Sequence, residues 1–161
     1  MTWRVEDRTD EPPGARTFVI EESLGYLIHR AARAFANRLG SELRQFDLGT
    51  GQWAVLMHLW SNDGMTQAQL ARRVAIEQPT MVGTIARLER DGLVTRTPDP
   101  NDGRASRITL TERGWGLRDV LVPLADGVNR AAAAAMTEDE VATLRRLLAK
   151  LVAAEAGTLS P

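Results

Sequence analysis

The sequence predicts a mainly α chain that carries a small β-hairpin. Two observations predict it. Apolar residues recur every three to four positions along most of the chain, and the period shortens to two in "LVTRT" and "RITL". The absence of cysteine narrows the chemistry further, excluding disulfides, thiolate metal sites and thiol redox sensing from the 161 residues.

Residues 1–18 are expected to form a flexible arm, because the first sixteen are rich in charge and contain Pro12, Pro13 and Gly14. From Ser23 onward, Leu24, Leu27, Ile28, Ala31, Phe35, Leu39, Leu43 and Phe46 step by threes and fours, the pattern of one helix of more than six turns. "LGTGQWAVLMHLW" then supplies turn residues followed by Trp53, Leu56, Met57, Leu59 and Trp60. These cover much of a helix circumference, so this helix is expected to be central, and "SNDG" ends it.

In "TQAQLARRV", Thr66 is placed to cap a short helix while Gln69 reaches back to the N–H of the cap. Leu70, Ala71 and Val74 face inward, and three residues, Ala75 to Glu77, separate this helix from the next. The next helix is bounded by Pro79, suited to a first turn, and by Gly92, suited to the left-handed residue past a C-terminus, and so runs from about Pro79 to Asp91. Met81, Ile85 and Leu88, with Val82 beside them, form its inward stripe. The opposite stripe, Thr80, Gly83, Thr84 and Arg87, is small, polar and basic. A solvated helix face usually carries long charged side chains, and a mid-helix glycine costs about 1 kcal/mol relative to alanine, so short side chains here point to another body approaching closely. Two short helices joined by so tight a turn form a helix-turn-helix.

After Gly92 come the two alternating segments, separated by "PDPNDGRAS", a hairpin whose loop protrudes as a wing. Thr111 is placed to cap a further long helix through Arg118, Val120 and Leu121, with Pro123 as a kink. Thr137 to Glu140 is a second capping box, and Val141, Leu144, Leu147, Leu148, Leu151 and Val152 give the last helix a continuous apolar seam. Together with the first helix, these two carry more apolar surface than one small lobe can cover.

Composition sets the remaining bounds. The net charge is −1 and the pI about 6.1, although residues 66–113 hold eight cations against six anions. No stretch approaches the roughly 18 apolar residues of a membrane span, and "MTWRVEDRTDEPPGAR" has no apolar signal core, so no membrane partner and a cytoplasmic location are expected. With two histidines, His29 and His58, neither a metal site nor a cofactor is expected. No Gly-rich phosphate loop, HExxH or GxSxG occurs, which argues against an enzyme.

From about Ser23 to Leu151 the chain resembles the MarR/SlyA family of winged helix-turn-helix transcription regulators. "ESLGYLIHR", "IEQPTMVGTIARLERDGLVTR" and "NDGRASRITLTERG" are especially similar to its SlyA branch, and Asp102-x-Arg104 followed by "ITLTERG" is the most specific part. The resemblance implies a homodimer on a palindromic operator, a repressor released by a small aromatic or phenolic ligand. It divides the chain into the arm at 1–18, a helical dimerisation region at 19–48 and 111–156, a winged helix-turn-helix DNA-binding lobe at 49–110 and a tail at 157–161.

The implied partner is double-stranded DNA, whose major groove accepts one helix. Gln78 can pair bidentately with adenine, Pro79 can offer apolar contact, and Thr80 and Thr84 can meet thymine methyls or phosphates. Arg87 is placed for a phosphate, while Arg72 and Arg73 are either phosphate contacts or a solvated face. Gly83 stands where the SlyA branch often has a long basic residue, so either a base contact is missing there or the helix sits deeper in the groove. In the wing, Arg104 is the candidate for the minor groove, Asp102 for holding the arginine or loop in shape, and Arg107 for a phosphate. By position Tyr26, His29, Trp53, Met57 and Trp115 are candidates for a ligand cleft, and each is equally of a type that builds cores. A winged helix serving as a protein-interaction module without DNA binding is the alternative, favoured by Gly83 and the acidic pI and disfavoured by the intact wing pattern.

Overall fold

Residues 19–100 and 105–158 are described by a computed structural model, which divides after Arg33 into two units. In the first, one 3-10 turn at Ile20–Glu22 precedes the start of helix α1 (Leu24–Leu43), on which Leu24, Leu27 and Ile28 are exposed.

The second unit is built around α2 (Thr50–Ser61), which buries Trp53, Val55, Leu56, Leu59 and Trp60 and is central, as its apolar circumference predicts. The predicted first helix tightens at Arg44–Phe46 into a 3-10 turn, and Asp47 then reverses the chain in the left-handed region at φ 57°. Gln52 is buried on α2 with its amide linking two neighbours: Oε1 accepts from the Gly49 N–H at 3.1 Å and Nε2 donates to Asp91 at 3.3 Å.

Helices α3 (Gln67–Val74) and α4 (Gln78–Arg90) lie against α2, joined by Ala75 to Glu77 with Ala75 left-handed at φ 56°. The predicted capping box forms: Thr66 Oγ1 accepts from the Gln69 N–H at 3.3 Å and Gln69 Oε1 accepts from the Thr66 N–H at 2.8 Å. Gly92 takes the expected left-handed conformation past α4, at φ 69°.

The hairpin consists of β2 (Val94–Pro98) and β3 (Ser106–Leu110), antiparallel with Arg96 opposite Ile108 and Thr97 opposite Arg107. A two-residue strand, β1 (Met65–Thr66), pairs with the other edge of β3, giving the order β1-β3-β2. Two residues show no period, which is why this strand is not visible in the sequence pattern.

The long helix expected after Thr111 is two helices, α5 (Glu112–Gly116) and α6 (Arg118–Ala133). Thr111 caps the first by accepting from the Gly114 N–H at 3.0 Å. Gly114 lies within α5, three residues before the break at Leu117. It is wedged against the chain leaving α4, where a Cβ would stand 2.2 Å from the Leu93 carbonyl oxygen, and its own carbonyl accepts the Trp60 indole N–H at 3.0 Å. α6 continues through Pro123.

Helix α7 (Glu138–Thr158) begins at the predicted capping box, with Thr137 N–H donating to Glu140 at 2.7 Å. No described side chain of α7 is buried, and Leu144, Leu147, Leu148, Leu151 and Val152 all stand exposed.

Candidate nucleic-acid interface

The inward face of α4 consists of Met81, Thr84, Ile85 and Leu88, all buried. Gln78, Pro79, Thr80, Val82, Ala86 and Arg87 are exposed, with Gly83 half-buried among them. Two residues therefore exchange the sides expected of them. Val82 is 46% exposed, whereas Thr84 is 6% exposed and its hydroxyl donates to the Thr80 carbonyl at 2.9 Å. Thr84 faces α2, where a Cβ at Gly51 would stand 3.8 Å from Thr84 Oγ1, an ordinary van der Waals contact. Thr84 is a helix-packing residue with a satisfied hydroxyl and offers no surface to a ligand.

The surface that remains is short in side chain. Around Gly83 a Cβ would meet nothing within 4 Å, so the space is open in the free chain. Among the described residues, Arg72, Arg73 and Arg87 are exposed and have no acidic partner, which leaves their guanidinium groups available to an external anion.

Of the three wing candidates, Arg107 lies among the described residues. Asp102 and Arg104 lie outside the described residues. Arg107, expected to face phosphate, is held within the fold: Nε lies 3.0 Å from the nearly buried Asp99 carboxylate and Nη1 donates to the Gly64 carbonyl at 3.0 Å. The Asp99 N–H also donates to the Ala105 carbonyl at 3.0 Å, so Arg107 and Asp99 together brace the base of the hairpin loop. Both partners are remote from Arg107 in sequence or hidden in a loop, and no local pattern could show them.

Arg96 and Gln67 carry no sequence signal, and the fold brings them into the site. Arg96, on β2, donates from Nε to Glu89 Oε2 at 3.1 Å and from Nη1 to Gln67 Oε1 at 3.3 Å. Gln67 Nε2 in turn donates to Gln78 Oε1 at 3.4 Å. A chain of polar contacts thus joins the wing strand to the first residue of α4.

Of the cleft candidates, Trp53 and Met57 are brought together. They line an open cavity of about 380 Å³ with Phe35, Leu39, Val122 and Asn129, and Asp126 is its only ionisable wall residue among the described residues. Trp53 is also core, meeting Trp60 edge-on at 5.7 Å. Trp115, partly exposed on α5, does not line this cavity. Tyr26 and His29 belong to the N-terminal unit, where the Arg30 guanidinium lies 5.7 Å from the Tyr26 ring centroid and His29 is exposed. Among the described residues no cluster of His, Asp and Glu could hold a metal, and no helix is long and apolar enough to cross a membrane.

Known proteins share this geometry. Residues 48–106 match the MarR family. A probable transcriptional regulator from Pseudomonas aeruginosa is 31% identical over 83% of this chain and 99% of its own, with a TM-score of 0.76. The reduced form of MarR from E. coli is 30% identical, over 80% of this chain and 96% of its own, at a TM-score of 0.70. BpsR of Bordetella bronchiseptica, whose DNA binding is regulated by 6-hydroxynicotinic acid, is 26% identical over 84% and 96%, at 0.78. The helix-turn-helix, the three-stranded wing sheet and these likenesses over nearly the whole of each relative agree, and the chain belongs to the MarR family of winged-helix transcriptional regulators.

Proposed function

We propose that the chain is a repressor that grips a palindromic operator as a homodimer, with one α4 in each of two successive major grooves. The observation that supports this reading most directly is the exposed face of α4, where Gln78, Pro79, Thr80 and Gly83 lie near the N-terminus and Arg87, without an acidic partner among the described residues, follows. Half-sites are then about 34 Å apart, one duplex repeat. Dimerisation is supported by the exposed apolar seam of α7 and, separately, by the exposed Leu24, Leu27 and Ile28 of α1, since exposed apolar side chains repeated along one helix face mark an interface. Asp102 and Arg104 are assigned to the wing tip and the minor groove by the motif they match.

The cavity beside Trp53 and Met57 is assigned to a small aromatic effector. Asp126, an anionic residue of its wall, favours a neutral phenolic or a cationic compound over a carboxylate. An effector acts by its differential affinity for the two spacings of the recognition helices. The test is fluorescence anisotropy on duplex from the region beside the chain's own gene, with a salt series and a panel of phenols, aromatic amines and aromatic acids. Binding of two chains per duplex that weakens steeply with salt supports the reading, and salt-independent or absent binding contradicts it.

A further inference from the structure

The contacts from Glu89 to Gln78 have a direction. Glu89 is an acceptor and Arg96 has only donors, so the Arg96 Nη1 that reaches Gln67 fixes the amide oxygen of Gln67 toward the wing. The Gln67 amide then has only its NH₂ group to offer Gln78, which fixes the Gln78 oxygen toward α3. The Nε2 of Gln78 consequently points away from the network and has no partner among the described residues.

We infer that Glu89, Arg96 and Gln67 form a polarity relay that sets which way the Gln78 amide faces, so that α4 meets the groove with a donor at this position. This rests on the reading of α4 as the groove helix. It goes further in naming the base chemistry: a base edge made of acceptors, guanine N7 and O6 above all, in place of the adenine that a freely turning glutamine would select. Gln67 and Arg96 are positioning residues, acting through Gln78. Neither Gln67, at the start of α3, nor Arg96, on the wing strand, lies on the exposed stripe of α4.

The sharpest test inverts the relay. In Gln67→Glu the carboxylate still accepts from Arg96 but has no proton for Gln78, so the Gln78 amide must turn to donate to it and present its oxygen to the groove. The variant is expected to fold, because an acidic residue in the first turn of a helix is favoured by the helix dipole. Wild type, Gln67→Glu, Gln67→Met and Gln78→Ala are each used to select from a pool of duplexes randomised over twenty base pairs, and the recovered sequences are compared. Gln78→Ala identifies the base pair that Gln78 reads, as the one whose preference it removes. At that base pair wild type is expected to favour guanine by about fivefold, Gln67→Glu to shift toward cytosine, whose exocyclic amine donates, and Gln67→Met, which frees the Gln78 amide to turn, to favour adenine. The added negative charge of Gln67→Glu weakens binding to every duplex alike and cancels from this comparison. An unchanged preference in Gln67→Glu, with Gln78→Ala still removing it, overturns the relay alone. If Gln78→Ala leaves every position as in wild type, the groove assignment of Gln78 falls, and the relay with it.

Discussion

Gly83 is the sixth of thirteen residues in α4, at an ordinary helical position, and the free chain leaves open space where its Cβ would stand. Replacing it with alanine removes a helix-interior glycine, worth about 1 kcal/mol, and meets no steric opposition. For a domain of this size that corresponds to a rise in Tm of about 2–4 °C, measured at fixed protein concentration because a dimer's stability depends on it. Gly83→Leu gains comparably from propensity but projects a bulky side chain from the surface assigned to the groove. The pair separates the two roles. Both variants should be at least as stable as wild type by thermal denaturation, while Gly83→Leu should lose tenfold or more in affinity for duplex DNA, about 1.4 kcal/mol. A destabilised Gly83→Ala would mean that the space is not open, and a Gly83→Leu that binds duplex like wild type would mean that this face never meets DNA.

Three further outcomes follow from the fold. Gly114→Ala places a Cβ against the Leu93 carbonyl and disturbs the Trp60 indole bond, so it should lower stability by about 3 kcal/mol in denaturant unfolding, and a change below about 1 kcal/mol would show that the wedge can relax. Glu140 accepts hydrogen bonds from the backbone N–H and then the hydroxyl of Thr137, which hold its carboxyl below the ordinary 4.5. Its contribution to α7 is therefore present above that value and lost as pH falls through the lowered one, so Glu140→Gln should flatten the acid limb of the stability profile, and a carboxyl NMR titration with its midpoint at or above 4.5 would contradict the cap. Leu147→Arg with Leu151→Arg should convert a dimer into a monomer by sedimentation and abolish tight duplex binding, whereas an undiminished dimer would remove α7 from the interface.

What the sequence made legible was local. The Thr66–Gln69 and Thr137–Glu140 caps are i, i+3 relations, and the glycine at 92 and proline at 79 mark ends that chain geometry alone requires. The exchange between Val82 and Thr84 was not legible, because it depends on which side of α4 packs against α2, a helix distant in sequence. Arg107 looks free in a strand that alternates regularly, and only the folded hairpin brings it to Asp99 and Gly64. Likewise the helical pattern around Thr111 cannot foresee the contact of Gly114 with Leu93 and Trp60. The Gln67–Arg96 contact links two elements 29 residues apart, and its meaning lies in donor and acceptor polarity, which no periodicity encodes.

Arg87 offers the most direct test that the exposed face of α4 meets DNA, since it is solvent-facing, lacks an acidic partner among the described residues and contributes nothing to the core. The measurement is the slope of log K against log salt concentration for wild type and Arg87→Ala on one duplex. Each of two protomers then neutralises one phosphate fewer, and the slope should become shallower by about 2. An identical slope and identical affinity would contradict the placement of this helix on the duplex.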